Sequence, residues 1–424
     1  MNADEYEEDE ISKTVIINPK RFSRDSLEFI HDESSGRKKI LKNASHFKTE
    51  CLLQQSIRSF KGCRPHPCPM MFCSSRFWGT IVVLAAILAA SLPTLMSALL
   101  KHMFTAPDQE PWPYGSLRLI NASGIPAQPL NSAARIKELE DRFEHKDGDV
   151  WIVSYVKSGT TWTIGILAAL FDDPAAEYVG NLQKTTRTFC PQPELPDLGW
   201  GDDGFGHSIE ELNTWPSSRR CFKSHWPSRD FLLPKNGSKY IYVLRNARDQ
   251  MISHWNQVWG MGFHYGTADK TFEGGWNDFV NDWLDGNVEN GKLFDHVAGW
   301  YQRSQDDPEN VLLVRYEDVK MNTQSTIQKI ADFVGNVELS KEKIDKVMDL
   351  TSFDRMKEAD EKDMGLQFMR WLGVLRKHHI RQGEVGGDSE LSLSKEQIES
   401  MKQEYDIKLK PLGIPWEWVF TDKK

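Results

Sequence analysis

The chain has 424 residues, 39% hydrophobic and 27% charged, which supplies apolar material for a sizeable core and excludes a wholly disordered polymer. With 61 acidic against 52 basic residues the net charge is −9, which argues against a nucleic-acid binder but leaves room for a small basic pocket around an anionic nucleotide. The six cysteines (Cys51, Cys63, Cys68, Cys73, Cys190 and Cys221) form no disulfide scaffold, and none has the CxxC spacing of a zinc site.

Residues 1–76 read as a cytoplasmic, largely disordered tail with a solvated acidic run, Asp4 to Glu10. Its four cysteines read as unpaired thiols, with acylation at Cys73 as the sharper alternative. Phe77 to Leu100 carries no charge and is long enough to cross a hydrocarbon core, so one transmembrane helix is expected over 77–100. A cleaved signal peptide does not fit, because a long tail precedes the run. Arg58, Lys61, Arg64 and Arg76 flank it on one side, Lys101 and Arg118 on the other. That excess predicts a single-pass type II protein with its C-terminal part in a lumen, such as the Golgi. Glycosylation sequons stand at Asn121 and Asn236 on the predicted lumenal side, and one at Asn43 on the other.

Residues 101–115 read as a stem, and 116–424 as the catalytic domain. Val150 to Ser154, Tyr240 to Leu244 and Val311 to Val314 are short apolar runs with strand character. Helices are expected after each. Ile164, Leu167, Ala168 and Phe171 mark one helix face; Ile327, Ile330, Ala331 and Val334 mark another, ending at Gly335. Strand, loop and helix in alternation predict an α/β domain with a mostly parallel sheet flanked by helices, whose ligands sit beyond the carboxyl ends of the strands.

The first strand runs into Tyr155-Val156-Lys157-Ser158-Gly159-Thr160-Thr161-Trp162. Gly159 lets backbone approach a phosphate, and the N–H groups at the helix start face an anion with the positive end of the helix dipole. Lys157 adds a cation. The loop is P-loop-like but not a Walker A motif, where the lysine follows the last glycine; here Lys157 precedes Gly159. That order disfavours a kinase or nucleoside triphosphatase. In isolation, a Ser/Thr-capped helix beside a chance lysine is the minor alternative reading of the same stretch.

YVKSGTTW resembles the 5′-phosphosulfate loop of sulfotransferases that use 3′-phosphoadenosine-5′-phosphosulfate (PAPS). Arg245-Asn246-Ala247-Arg248-Asp249, then Ser253, resembles that family's 3′-phosphate segment. Arg381-Gln382-Gly383 resembles its RKG element, and Tyr316-Glu317-Asp318 and Thr351-Ser352-Phe353 match further segments in the same order. The resemblance covers roughly 116–424 and looks closest to the cytosolic small-molecule branch. It implies that Lys157, Ser158, Gly159, Thr160 and Thr161 hold the 5′-phosphosulfate and that Trp162 and Phe353 flank adenine. Arg245, Ser253, Arg381, Gln382 and Gly383 would hold the 3′-phosphate, with Tyr316, Thr351 and Ser352 completing the pocket.

Lys223-Ser224-His225 resembles the family's KTH or KSH element, which implies His225 as catalytic base with Lys157 and Lys223 stabilising developing charge. The chain has 12 histidines, and only His225 falls in that position. The scheme needs no metal, and no carboxylate or histidine cluster has ligand spacing. Val156 stands where the family has proline and Gln382 where it has lysine. At the family's dimer motif the chain has Glu390, Ser394, Lys395 and Glu399, of which only the last matches, so that dimer is not implied. Ser394 with Gln397 reads instead as a helix cap. The expected protein is a membrane-anchored sulfotransferase acting on a hydroxyl or amine of a small molecule, glycan or protein. The alternatives are a P-loop kinase or NTPase and an inactive binding protein on the same fold.

Overall fold

The computed structural model describes residues 113, 115, 117, 119–128, 131–197, 206–216, 219–232, 237–260, 274–364, 367, 370 and 391–420. The chain divides into two units, Met1–Trp78 and Gly79–Lys424, and the described residues all belong to the second. The tail, the apolar segment 77–100 and Arg381-Gln382-Gly383 lie outside them. Among the described residues no helix is long and apolar enough to cross a membrane.

A two-stranded antiparallel hairpin comes first, β1 (Ile120–Ala122) and β2 (Ile125–Ala127), turning at Ser123 and Gly124, both at positive φ. The main sheet has four strands, β3 (Val150–Ser154), β4 (Cys221–Ser224), β5 (Lys239–Leu244) and β6 (Val311–Arg315). Their order is β4-β3-β5-β6 and every pair is parallel. From β3 the chain departs towards β4 on one side, and from β5 towards β6 on the other. The crevice between the carboxyl ends of β3 and β5 is therefore a switch point, where ligands bind in open α/β sheets.

The strands are apolar runs because the central ones are buried on both faces. Trp151, Val153, Phe222, Tyr240 and Tyr242 pack on one side, beneath α5 (Ala247–Gly260), α6 (Trp276–Asp285), α7 (Leu293–Asp306) and α12 (Lys395–Lys408). Helix α1 (Ala133–Arg142) joins the same layer. Val150, Ile152, Ile241, Val243 and Val314 pack on the other, beneath α2 (Thr160–Leu170), α9 (Thr323–Val334) and α10 (Lys341–Leu350). Shorter helices α3 (Leu182–Thr188), α4 (Ile209–Asn213), α8 (Tyr316–Met321), α11 (Phe353–Lys362) and α13 (Trp416–Val419) fill the connections.

Two expected helix patterns resolve differently. In α9, Ile327, Ile330 and Ala331 are buried and Gly335 caps the end at φ +67°, as the periodicity predicts. Helix α2 is instead buried all round from Thr163 to Leu170. Its second side is covered by the 3₁₀ turn Pro174–Tyr178 and by α10, and Gly165 faces Val179 and Thr351 there. The capping box at Ser394 is present: its hydroxyl accepts from Gln397 N–H at 3.2 Å, and Gln397 Oε1 accepts from Ser394 N–H at 2.9 Å.

The two cysteines that follow the apolar segment, Cys190 and Cys221, are joined by a disulfide, a pairing the spacing alone does not indicate. It belongs to a longer strap. Among the described residues β4 is an edge strand, and residues 190–194 run along it. Besides the disulfide, Lys223 N–H donates to the Pro191 carbonyl at 2.9 Å, and the Ser224 hydroxyl donates to the Glu194 carboxylate.

Candidate active site

The loop after β3 turns sharply. Lys157 sits at φ +63° and Gly159 at φ +110°, the latter as N-cap of α2. A left-handed lysine is unfavourable by about 1–2 kcal/mol, so the surroundings must hold it. Two clamps do so. Arg245, just past β5, donates from Nη1 to the Lys157 carbonyl at 3.0 Å. Gln250 of α5 donates from Nε2 to the Val156 carbonyl at 2.9 Å, and its Oε1 accepts from Trp283 Nε1 at 2.9 Å. The loop thus keeps its shape with Val156 where the resemblance has proline.

Gly159 is required for a second reason. A Cβ there would meet the Tyr316 ring at 2.6 Å. The same ring lies under the Arg245 guanidinium, 4.5 Å from centroid to Cζ, and meets Trp162 edge-on at 5.6 Å. Tyr316, at the start of α8, therefore joins the loop after β3, the arginine and the tryptophan into one wall. Ser158 and Thr160 are buried, and Thr161 and Trp162 half-buried. Ser253 is half-buried on α5, two turns beyond Arg245. The Thr351 hydroxyl is committed to the Val347 carbonyl at 2.7 Å, Ser352 is the N-cap residue of α11, and Phe353 is exposed beside it. The structure brings together the loop, Arg245, Tyr316 and Trp162; Arg381, Gln382 and Gly383 lie outside the described residues.

These residues suit an anionic nucleotide. Arg245 Nε and Trp162 Nε1 are buried with no hydrogen-bond partner among the described residues. Buried donors left unpaired are unfavourable by about 1–3 kcal/mol, which an acceptor on a ligand would recover.

His225 follows β4 directly. Its Nδ1 lies 2.9 Å from the Ser154 carbonyl oxygen. A carbonyl only accepts, so Nδ1 carries the proton and Nε2 the free lone pair. Burial, then the charge of Lys223, hold the imidazole well below the ordinary histidine pKa of 6.5, so it is neutral at physiological pH. Its backbone is fixed as well: His296 Nε2 donates to the His225 carbonyl at 3.1 Å, and His296 Nδ1 accepts from Tyr242 Oη at 3.0 Å. Burial pushes His296 down to about 4, keeping it neutral.

Ser154 also links His225 to the loop, its hydroxyl lying 2.7 Å from Thr160 Oγ1. Lys223 is buried, and burial lowers it to about 8 against the opposing charges of Glu194 and Glu289. Neither Ser154 nor Glu194 stands out in the sequence as a site residue. Glu194 has no local signal at all, because only the strap along β4 brings it there. Among the described residues no group of three or more histidine, cysteine or acidic side chains is placed to hold a metal ion.

A sulfotransferase domain matches residues 147–413, which include every described element of this site. The chain belongs to the sulfotransferase family. Among its relatives, the amine sulfotransferase of Oryctolagus cuniculus is 29% identical over 319 residues, covering 72% of this chain and 95% of that one. Sulfotransferase 1C2 of Rattus norvegicus is 32% identical over 247 residues, covering 57% and 76%. A crystal structure of a mouse sulfotransferase complexed with PAP superimposes with TM-score 0.52 at 25% identity, covering 69% of this chain and 95% of that one. Retinol dehydratase complexed with retinol and PAP shares the fold at TM-score 0.51 and 21% identity, covering 69% and 91%. The expected α/β fold, a parallel sheet flanked by helices, is the fold shared with these structures.

Proposed function

We propose that the chain transfers a sulfuryl group from PAPS to a hydroxyl or amine of a small-molecule acceptor, with His225 as general base. The observation that carries this reading is the His225–Ser154 bond, which leaves Nε2 basic beside a clamped phosphate loop. The acceptor oxygen or nitrogen attacks sulfur, the sulfur–oxygen bond to the 5′-phosphate breaks, and Nε2 takes the acceptor proton. Lys157 and Lys223 offset charge growing on the departing phosphate and the sulfuryl oxygens. Arg245 and Ser253 would hold the 3′-phosphate, with Arg381, Gln382 and Gly383, while Trp162 and Phe353 would flank adenine. PAP in the mouse relative's crystal structure and the name of the rabbit amine sulfotransferase support the nucleotide and the acceptor class.

The proposal includes the compartment. A helix over 77–100 anchors the chain, and the domain from 116 onward faces a lumen. The flanking arginines and lysines support this, as does the Cys190–Cys221 disulfide, a bond that persists in oxidising compartments.

The test is transfer of labelled sulfate from PAPS across a panel of phenols, steroids, amines and glycans. Transfer to none of them, together with preference for ATP over PAP, would overturn the reading. For topology, a C-terminal tag in sealed microsomes should resist protease until detergent is added; digestion without detergent refutes a lumenal domain.

A further inference from the structure

Glu194 is a buried carboxylate outside the machinery described above. Its Oε1 accepts the Ser224 hydroxyl, whose oxygen in turn accepts Trp226 N–H at 3.0 Å. The backbone N–H of His225 faces the same carboxylate. Its Oε2 is buried with no partner among the described residues. One side chain therefore touches the residue between Lys223 and His225, and lies opposite the backbone of His225 itself.

We propose that Glu194 is a positioning residue for the transfer: its carboxylate sets the turn that carries His225 and keeps the neighbouring Lys223 positively charged during turnover. The inference rests on the sulfotransferase reading for its catalytic consequence. A buried carboxylate serving only as a peg for Ser224 would be unfavourable, because one hydroxyl does not offset the loss of water around its charge, whereas a nearby cation opposes that cost. Lys223 is where that charge acts. Lys223 is faced by Glu194 from the strap, by Glu289 from the turn before α7, and by His225 at the end of its own strand. His225 is neutral, and Glu289 shares its carboxylate with Gln128, whose Nε2 donates to Oε2 at 2.9 Å. Glu194 opposes the burial that draws Lys223 down to about 8, and Lys223 in turn opposes the burial that draws Glu194 up to about 7. Covalent and hydrogen-bonded ties at Cys190 and Pro191 fix the distance between strap and strand.

Three variants of the full chain in detergent separate charge from shape. Glu194→Gln keeps an oxygen for Ser224 and removes the charge. Glu194→Ala removes both. Ser224→Ala keeps the charge and removes the bond. The first readout is brief acylation with acetic anhydride over a pH series, with the Lys223 peptide quantified by mass spectrometry. The half-reaction pH of Lys223 should fall by about one unit in Glu194→Gln and stay at the wild-type value in Ser224→Ala, with Lys239 unmoved throughout. The second readout is kcat against pH, whose alkaline fall should move to lower pH by the same amount in Glu194→Gln. An unshifted Lys223 in Glu194→Gln, or loss of activity confined to Glu194→Ala, overturns the inference. A wild-type chain that transfers no sulfate overturns the sulfotransferase reading instead, and the acylation series still decides the Glu194–Lys223 coupling.

Discussion

The carbonyl oxygen of Ser154 accepts the Nδ1 proton of His225 at 2.9 Å, while the Ser154 hydroxyl holds Thr160 Oγ1 at 2.7 Å. The last residue of β3 therefore fixes both the tautomer of His225 and the first turn of α2. Removing the imidazole should lower kcat about 10²–10⁴-fold while PAP binding changes less than about threefold. His225→Ala assayed by labelled transfer and by calorimetry checks both; near-normal turnover removes His225 from the mechanism.

The pH profile follows from the same imidazole. A base must be neutral to work, and burial with the Lys223 charge lowers its pKa, so the acid limb of kcat/KM belongs below pH 6.5. The alkaline limb belongs near pH 8, where Lys223 loses its proton. An acid limb at or above 6.5 would mean that burial and the Lys223 charge do not govern this imidazole as the structure has it.

Gly159→Ala should weaken PAP binding about tenfold or more. The substitution places a Cβ at φ +110° and 2.6 Å from Tyr316. In a Tyr316→Ala background the clash is gone but the backbone conformation is not, so the extra penalty of Gly159→Ala should shrink without vanishing. Calorimetric titration of the four chains measures it, and an undiminished penalty assigns the whole effect to backbone strain.

Arg245→Lys keeps the charge and loses the planar fork that spans the Lys157 carbonyl and the unpartnered Nε. The expected result is a drop of about tenfold or more in PAP affinity, with affinity for adenosine 5′-phosphate changed far less. Equal losses for both nucleotides would reassign Arg245 to loop support alone.

Cys190→Ser with Cys221→Ser should lower stability by about 3–4 kcal/mol, as a bond across 31 residues does by restricting the unfolded chain. Guanidinium unfolding of the wild type with and without reductant provides the matched comparison. An unchanged midpoint would mean that the strap is held by its hydrogen bonds.

Much of this was legible in the sequence, for a physical reason. Val150 to Ser154 and Tyr240 to Leu244 are doubly buried strands, so their apolar runs are continuous, and the loops that follow carry chemistry in a fixed order. Trp162 and Tyr316 could be named but not joined, since their edge-on contact depends on how α8 returns to the loop. Gln250 was invisible because its task is to hold a carbonyl 94 residues away. Glu194 and the disulfide were invisible alike, because both depend on a segment without helix or strand pattern lying along an edge. The apolar face of α2 at Ile164, Leu167 and Ala168 was legible, whereas the burial of its other side was not, because that depends on the 3₁₀ turn and α10 returning to cover it.

That edge has a consequence beyond catalysis. An outer strand of a sheet offers unpaired N–H and C=O groups on which a strand of another molecule can dock, the commonest start of sheet-to-sheet aggregation. Residues 190–194 occupy part of that row on β4 by a sulfur bridge, a backbone bond and a carboxylate. The strap therefore serves as a guard on the template as well as a tie to β4, so a chain reduced before it folds would meet its neighbours with that row open.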